Sequence, residues 1–461
     1  MKAVLISTYE LGHQPFGLAS PAAWLRREGA SVACLDLSQQ ALKDHEQILR
    51  EADLIAFYLP MHTASRIAMY AIRRALGLNP RAHFCAYGLY APMNAAELRK
   101  LGVHSIIGGE FEAGLAKLAC WIMGGDGGGH SPVQEKLISL ERQEFLLPDR
   151  SGFPRLSKYA RLVMPDGRQK IVGYTEASRG CKHLCRHCPI VPIYNGKLRI
   201  VQGDVVLADI RQQVQAGAEH ITFGDPDFFN GIGHSLGIVR AMHREFPGLS
   251  YDATIKIEHL RKHAAHLPVL RETGCAFVVS AAESFDDNVL RLLDKGHTRA
   301  DFVDVVRLMR DIGVPLAPTF VAFTPWISLA GFEDFLLTLV DLNLMESVQP
   351  VQLAIRLLIP AGSRLLELQE VRSLIGPFDS GALCYPWRHS DPRVDRLQQQ
   401  LEAFVQQAAK WGMPRRAVVE QAWSLVQESL RNDRGTDAPE PALPPMVSRA
   451  SLPYLTEPWY C

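Results

Sequence analysis

Along the first 124 positions, short apolar runs alternate with stretches whose apolar residues recur every three or four positions. The runs 3–7, 31–37, 53–59, 83–87 and 104–107 are short and turn-bounded, the pattern of strands. The stretches 20–28 and 65–76 carry the helical period, and the first predicts a helix capped by Ser20 with Pro21 at its first position. Five strands alternating with helices predict a doubly wound, Rossmann-like parallel sheet covered on both faces. Ligands of such α/β sheets bind beyond the carboxyl ends of the strands. Those ends lead into Tyr9–Gly17, Pro60–Ala64, Gly88–Pro92 and Gly108–Glu112, loops rich in small residues that let backbone approach a ligand closely.

The pattern breaks at the run Gly124–Gly129, and residues 125–169 read as a proline-punctuated connector between domains. From 170 to about 370 the alternation resumes. Strand-like runs at 171–177, 220–223, 250–256, 277–281, 318–323 and 351–357, with helical segments such as 288–293 and 300–311, predict six βα units, a partial (β/α)6 barrel. Residues 371–461 form a helical extension. Asp391-Pro392 opens one helix, with Val394, Leu397, Leu401, Phe404 and Val405 as its apolar stripe and Gly412 as its stop. A second helix is expected from about 414 to 430, and the proline-rich stretch 432–445 reads as a tether.

The chemistry concentrates after the first barrel strand, in Ser178-Arg179-Gly180-Cys181-Lys182-His183-Leu184-Cys185-Arg186-His187-Cys188-Pro189. Thiolates spaced Cys-x3-Cys-x2-Cys converge on one metal centre only if the backbone curls into a tight loop. Structural zinc and ordinary iron–sulfur clusters take four protein ligands. Three thiolates on a four-iron cluster leave one iron open for a small molecule. A zinc knuckle completed by His183 or His187, in a non-catalytic interaction protein, is the alternative.

This spacing resembles the radical SAM superfamily, in which S-adenosylmethionine (SAM) chelates the open iron. The resemblance implies a [4Fe–4S] cluster on Cys181, Cys185 and Cys188 at the carboxyl end of a barrel strand. It implies His187 beside the adenine and an acidic pair, Asp225 and Asp227, after the second strand. It also likens Glu283-Ser284 with Lys295-Gly296, and Pro360–Leu365, to the family's later strand signatures. SAM needs hydroxyl acceptors and a cation for its carboxylate; Glu283 and Ser284 suit the former and Arg356 the latter. Gly109-Glu110-Phe111-Glu112 resembles the fifth-strand motif of the cobalamin-binding domain that precedes many such barrels. That likeness implies cobalamin held at Gly17, Pro60, Thr63, Gly88, Gly109 and Glu110, with His13 as the candidate cobalt ligand, although Leu11–Phe16 lacks the Asp and Gly of the usual motif. With cobalamin, the implied reaction is methyl transfer to an unactivated carbon. Without it, a rearrangement or sulfur or selenium chemistry remains, although no extra cysteine pair stands ready for a second cluster.

Composition narrows this picture modestly. The chain has 461 residues, 47% of them apolar, enough for two or three domains. Its 49 basic and 49 acidic residues balance, which gives no electrostatic case for nucleic acid or membrane partners. With no long apolar span, no leader pattern and scattered single cysteines, the expected setting is the reducing cytoplasm, as monomer or homodimer. The expected partners are a small-molecule or peptide substrate and a flavodoxin or ferredoxin electron donor. The sequence ends Glu457-Pro458-Trp459-Tyr460-Cys461. Taken whole it resembles radical SAM proteins whose chains end Cys-Cys-Ala-Glu-Pro or Cys-selenocysteine-Ala-Glu-Pro. That likeness implies a selenocysteine codon read as a stop after Cys461; an ordinary terminal cysteine is the alternative.

Overall fold

The computed structural model describes residues 1–124, 137–434, 442–445 and 452–456. The glycine run beyond Gly124 and the Cys461 end therefore lie outside the described residues. The amino-terminal sheet is parallel and contains β1 (Lys2–Ser7), β2 (Ser31–Asp36), β3 (Leu54–Tyr58), β4 (His83–Tyr87), β5 (Ser105–Gly109) and β6 (Ile138–Ser139), ordered 2-1-3-4-5-6. The first five match expectation within two residues. The sixth is new: the supposed connector returns a two-residue strand to the edge, where Gly108 N donates to Leu137 O. Each face of the sheet has its own buried core, one around Ile55, Phe57 and Phe84, the other around Leu5, Leu54 and Tyr87.

The first helix spans Phe16–Arg27, so Ser20 is no cap and Pro21 lies inside it. A proline there cannot donate to the carbonyl four residues back. That carbonyl, Gly17 O, accepts instead from the buried Tyr87 hydroxyl at 2.9 Å. The interior proline therefore leaves no polar group unpaired.

A second sheet curls into a half-barrel. Its strands are β7 (Arg161–Val163), β8 (Gln169–Thr175), β11 (His220–Phe223), β12 (Ser250–Thr254), β13 (Cys275–Glu283) and β14 (Leu316–Phe320). Between β8 and β11 an antiparallel ribbon of β9 (Ser178–Gly180) and β10 (Leu198–Ile200) closes the base of the cysteine loop. Five of the six expected barrel strands form and pair in parallel in chain order. The sixth shrinks to one bridge between Phe323 and Arg356, because Pro350–Leu353 winds into a 3-10 turn. β7 is a further departure, an antiparallel strand on the amino-terminal half of β8.

The extension forms helices Pro392–Trp411, capped by Asp391 and ended by Gly412 at φ +62°, and Arg415–Arg434. Val394, Leu397, Leu401 and Val405 bury their stripe in the barrel's main core. Upstream, Leu383 reaches the other way and is fully buried in the amino-terminal core. Past the expected tether, β15 (Tyr454–Leu455) pairs with β7, at the end of the barrel opposite the cysteine loop. Among the described residues no helix is long and apolar enough to cross a membrane.

Candidate functional site

The cysteine loop runs from Gly180 to Leu198 over the carboxyl end of β8. Asp225, at the end of β11, fastens its base by accepting from Ala177 N at 2.9 Å and from the Ser178 hydroxyl. Burial pushes the Asp225 carboxyl up to about 7 despite those bonds. Each of its oxygens thus accepts one bond from the base of the loop.

Cys185 is buried, and Cys181 and Cys188 are partly exposed. Burial pushes the Cys188 thiol up to about 12, and the neighbouring Cys185 and Cys181 sulfurs raise it further. A metal is the natural counter-charge for three crowded thiols, since coordination deprotonates them outright. Two side chains support them. Asn230 Nδ2 lies 3.4 Å from Cys181 Sγ, and buried Lys295 acts electrostatically on Cys185 and Cys188.

Lys295 also ties the loop to β13, with its Nζ 3.3 Å from Glu283 Oε1; His187 Nε2 stands 3.0 Å from the same oxygen. Burial would raise the Glu283 carboxyl, but the Lys295 and His187 charges outweigh it and hold it at about 2. Glu283 is therefore a carboxylate, presented at φ +69° where β13 breaks register. Ser284, beside it, accepts from Asp286 N at 3.0 Å. The structure thus brings His187 and Glu283 together at the cysteine loop, while the Ser284 hydroxyl turns to the backbone of Asp286.

Arg356 does not join them. Its guanidinium pairs with Asp395 at 2.7 Å, donates to Trp387 O at 2.6 Å and lies 3.4 Å over the Trp387 ring. The extension helix has claimed the cation proposed for the SAM carboxylate. The zinc-knuckle alternative loses both of its histidines: His187 faces Glu283, and His183 turns to Asp227 and His259.

At the first sheet, the residues expected to cradle cobalamin serve the chain itself. A Cβ at Gly17 would sit 2.1 Å from the Tyr58 ring, and one at Gly88 would sit 2.9 Å from that ring. Tyr58, Tyr87 and Phe111 pack with centroids 5.1–5.7 Å apart and fill the alcove under helix Phe16–Arg27. A Cβ at Gly109 would strike Ser139 O of β6. His13 is buried with its ring 4.9 Å from Tyr174, and burial lowers it to about 4. Pro60 and Thr63 are half-buried, and His62 between them donates to Ala382 O of the extension at 2.7 Å. In this arrangement the Tyr58 ring fills the space left by Gly17 and Gly88.

Glu110 and Glu112 tie the end of β5 to the cysteine loop. Arg179, two residues before Cys181, places its nitrogens 2.7 and 2.9 Å from Glu112, 2.6 Å from Glu176 and 3.6 Å from Glu110. Tyr194, inside the cysteine loop, donates to Glu110 at 2.9 Å. Sequence reasoning gave no role to Arg179, Asn230, Lys256 or His259. The signal available was charge directly beside a strand end, as in Lys256-Ile257-Glu258-His259 after β12.

The comparisons agree with this geometry. The model of the radical SAM superfamily matches residues 175–326. The chain carries a radical SAM domain. That domain implies a [4Fe–4S] cluster and SAM, for which the three cysteines are a fitting donor set. Among solved structures, the cobalamin-dependent SAM radical enzyme OxsB is similar at 12% identity and TM-score 0.65, over 88% of this chain and 67% of that one. The radical SAM methyltransferase TsrM of Kitasatospora setae is similar at 16% and 0.57, over 74% and 70%. At such identities the likeness shows fold alone. Among curated proteins, the threonylcarbamoyladenosine tRNA methylthiotransferase of Aquifex aeolicus is 21% identical over 53% of this chain and 56% of its own length. The tRNA-2-methylthio-N(6)-dimethylallyladenosine synthase of Hahella chejuensis is 25% identical over 44% and 47%. The chain spans about half the length of these curated relatives.

Proposed function

We propose that this radical SAM enzyme cleaves SAM reductively and takes hydrogen from a small-molecule or peptide substrate, with its first domain acting as a scaffold and not as a cobalamin carrier. The observation that carries the reading is the junction of Cys181, Cys185 and Cys188 with the Lys295–Glu283–His187 chain. Cys181, Cys185 and Cys188 would hold the cluster, which would supply the electron for reductive cleavage of SAM. Lys295 and Asn230 stabilise the negative charge on the thiolates. Glu283, held ionised, is a buried acceptor for ligand hydroxyls, and His187 is oriented by it. Asp225 keeps the loop anchored on β8. An electron donor of the flavodoxin or ferredoxin class completes the system.

A second reading, cobalamin-dependent methyl transfer, is favoured by the shape shared with OxsB and TsrM. It requires the Tyr58 ring to leave its alcove. Sulfur insertion, the chemistry named by the methylthiotransferase relatives, finds little support: Cys34, Cys85 and Cys275 are buried singly, with burial pushing Cys34 up to about 12. Their tRNA substrates also find no net positive charge to meet here. Protein purified anaerobically and incubated with SAM, reductant and hydroxocobalamin separates the readings. About four irons per chain, 5′-deoxyadenosine and no retained cobalt are expected. One cobalt per chain would instead establish the second reading. Cys185→Ala should lose both iron and 5′-deoxyadenosine, and undiminished production would remove the ligand assignment.

A further inference from the structure

Beside the cysteine loop lies a group of donors that the cluster chemistry does not use. His183 comes from the loop itself, Asp227 from the turn after β11, and His259 from helix Ile257–Lys262 after β12. Their side chains retain only 17, 3 and 10% exposure. His183 Nε2, Asp227 Oδ2 and His259 Nδ1 point at one another and all lie within 4.8 Å. The closest pair, His259 Nδ1 and Asp227 Oδ2, is 2.7 Å apart, and His183 Nε2 is 3.6 Å from the same oxygen. All three atoms are sealed from solvent, and none has a hydrogen-bond partner of good geometry. Three converging, buried, unsatisfied donors are costly unless something binds them.

We propose that His183, Asp227 and His259 form a second metal site, separate from the cluster, for one divalent first-row transition ion of the zinc or iron(II) class. Two imidazoles and one carboxylate are the donor set of catalytic zinc and of non-haem iron sites, which leave positions open for water or a substrate oxygen. The surroundings are built to hold these donors. Asp227 Oδ1 is fixed by Phe229 N and Lys256 N, each at 3.3 Å, which aims Oδ2 at the imidazoles. The His183 and His259 rings flank that free oxygen at 3.6 and 2.7 Å. Glu258 Oε2 lies 3.6 Å from His183 Nδ1, the position of the outer carboxylate that orients a ligating histidine. Gly296 makes room for it, since a Cβ there would fall 2.7 Å from that oxygen. The Lys256 ammonium now sits 2.9 Å from His183 Nδ1 and 3.0 Å from Glu258. On its flexible stem it yields Nδ1–H to Glu258 when Nε2 takes the metal. Beyond His259 the row of imidazoles continues, with His263 at 5.6 Å between rings and the exposed His266 a further 6.3 Å on.

The test uses the full chain with its iron–sulfur cluster assembled, incubated with Zn2+ and desalted. We expect one zinc per chain beside the cluster iron, with only nitrogen and oxygen scatterers in zinc-edge X-ray absorption. A first shell containing sulfur, or no zinc retained after desalting, overturns the proposal. That measurement on the unaltered chain stands even if variants misfold. Exchanging His259→Gln or Asp227→Asn should weaken zinc retention at least tenfold while leaving cluster iron in place. Zinc held as tightly by a folded His259→Gln chain would place the metal elsewhere and overturn the assignment.

Discussion

Glu283 concentrates several costs at one position. It is 7% exposed, its backbone is at φ +69°, and its carboxylate is buried between the Lys295 ammonium and the His187 ring. A non-glycine residue in that region costs about 1–3 kcal/mol, a strain that recurs where a side chain must be held in one place. Removing its charge isolates the other partner, since Lys295 is buried as well. Breaking one side of a buried pair costs about 3–5 kcal/mol. The thiolates beside Lys295 offset part of that loss, so the lower end applies. Glu283→Gln is therefore expected to lower the unfolding free energy in urea by about 3 kcal/mol. It should retain cluster iron yet form 5′-deoxyadenosine far more slowly. Unchanged nucleoside formation by the variant would show that Glu283 only supports the fold.

At the scale of elements, the contact between helix Phe16–Arg27 and β3 distinguishes a scaffold from a ligand groove. Gly17 exists for Tyr58: any larger residue would meet the ring. Gly17→Ala should cost about 1–3 kcal/mol by overpacking, and Tyr58→Ala about 3–5 kcal/mol by cavity formation. In the double variant the new methyl occupies space the ring has left. Thermal melts should thus show a combined loss clearly smaller than the sum; strict additivity would mean the two do not share that space. Five parallel strands in each sheet were legible because buried parallel strands are short apolar runs whatever surrounds them, whereas β6 and β7 were not. The cysteine loop was legible because its spacing is local. The helix start at Phe16 was not, because its punctuation, Ser20-Pro21, mimics a cap. Only Tyr87, far along the chain, makes the interior proline acceptable. Arg356 misled for the same reason: Asp395 lies 39 residues away and no local pattern announces the pair. Gly17, Gly88 and Gly109, read as places of ligand approach, lie here against other parts of the chain.

For the whole molecule, the joint between sheet and barrel runs through Arg179. Its guanidinium lies among Glu110, Glu112 and Glu176 and within 4.9–5.7 Å of the Phe111, Phe145 and Phe16 rings. One arginine facing three carboxylates leaves an excess of negative charge in a buried place, and protonation relieves it. Burial raises both Glu110 and Glu176, and Glu110 is the one brought into the neutral range. Burial raises its carboxyl, Arg179 opposes and Glu112 adds to the rise, leaving it at about 7 against an ordinary 4.5. The folded chain therefore holds a proton there that the unfolded chain releases near 4.5. Between those values the native state binds more protons, so unfolding free energy falls as pH rises, with a slope approaching about 1.4 kcal/mol per pH unit for one proton. Above about 7 the loss from this group is complete. Glu110→Gln carries a permanent neutral acceptor for the Tyr194 hydroxyl and has no proton to lose. Melting temperatures measured from about pH 5 to 8 should decline more steeply for the natural chain than for the variant, the two curves separating as pH rises. Parallel curves would locate the proton elsewhere in the joint. Because Arg179 stands two residues before Cys181, the same titration in cluster-loaded protein should also show iron held more firmly by Glu110→Gln at the alkaline end.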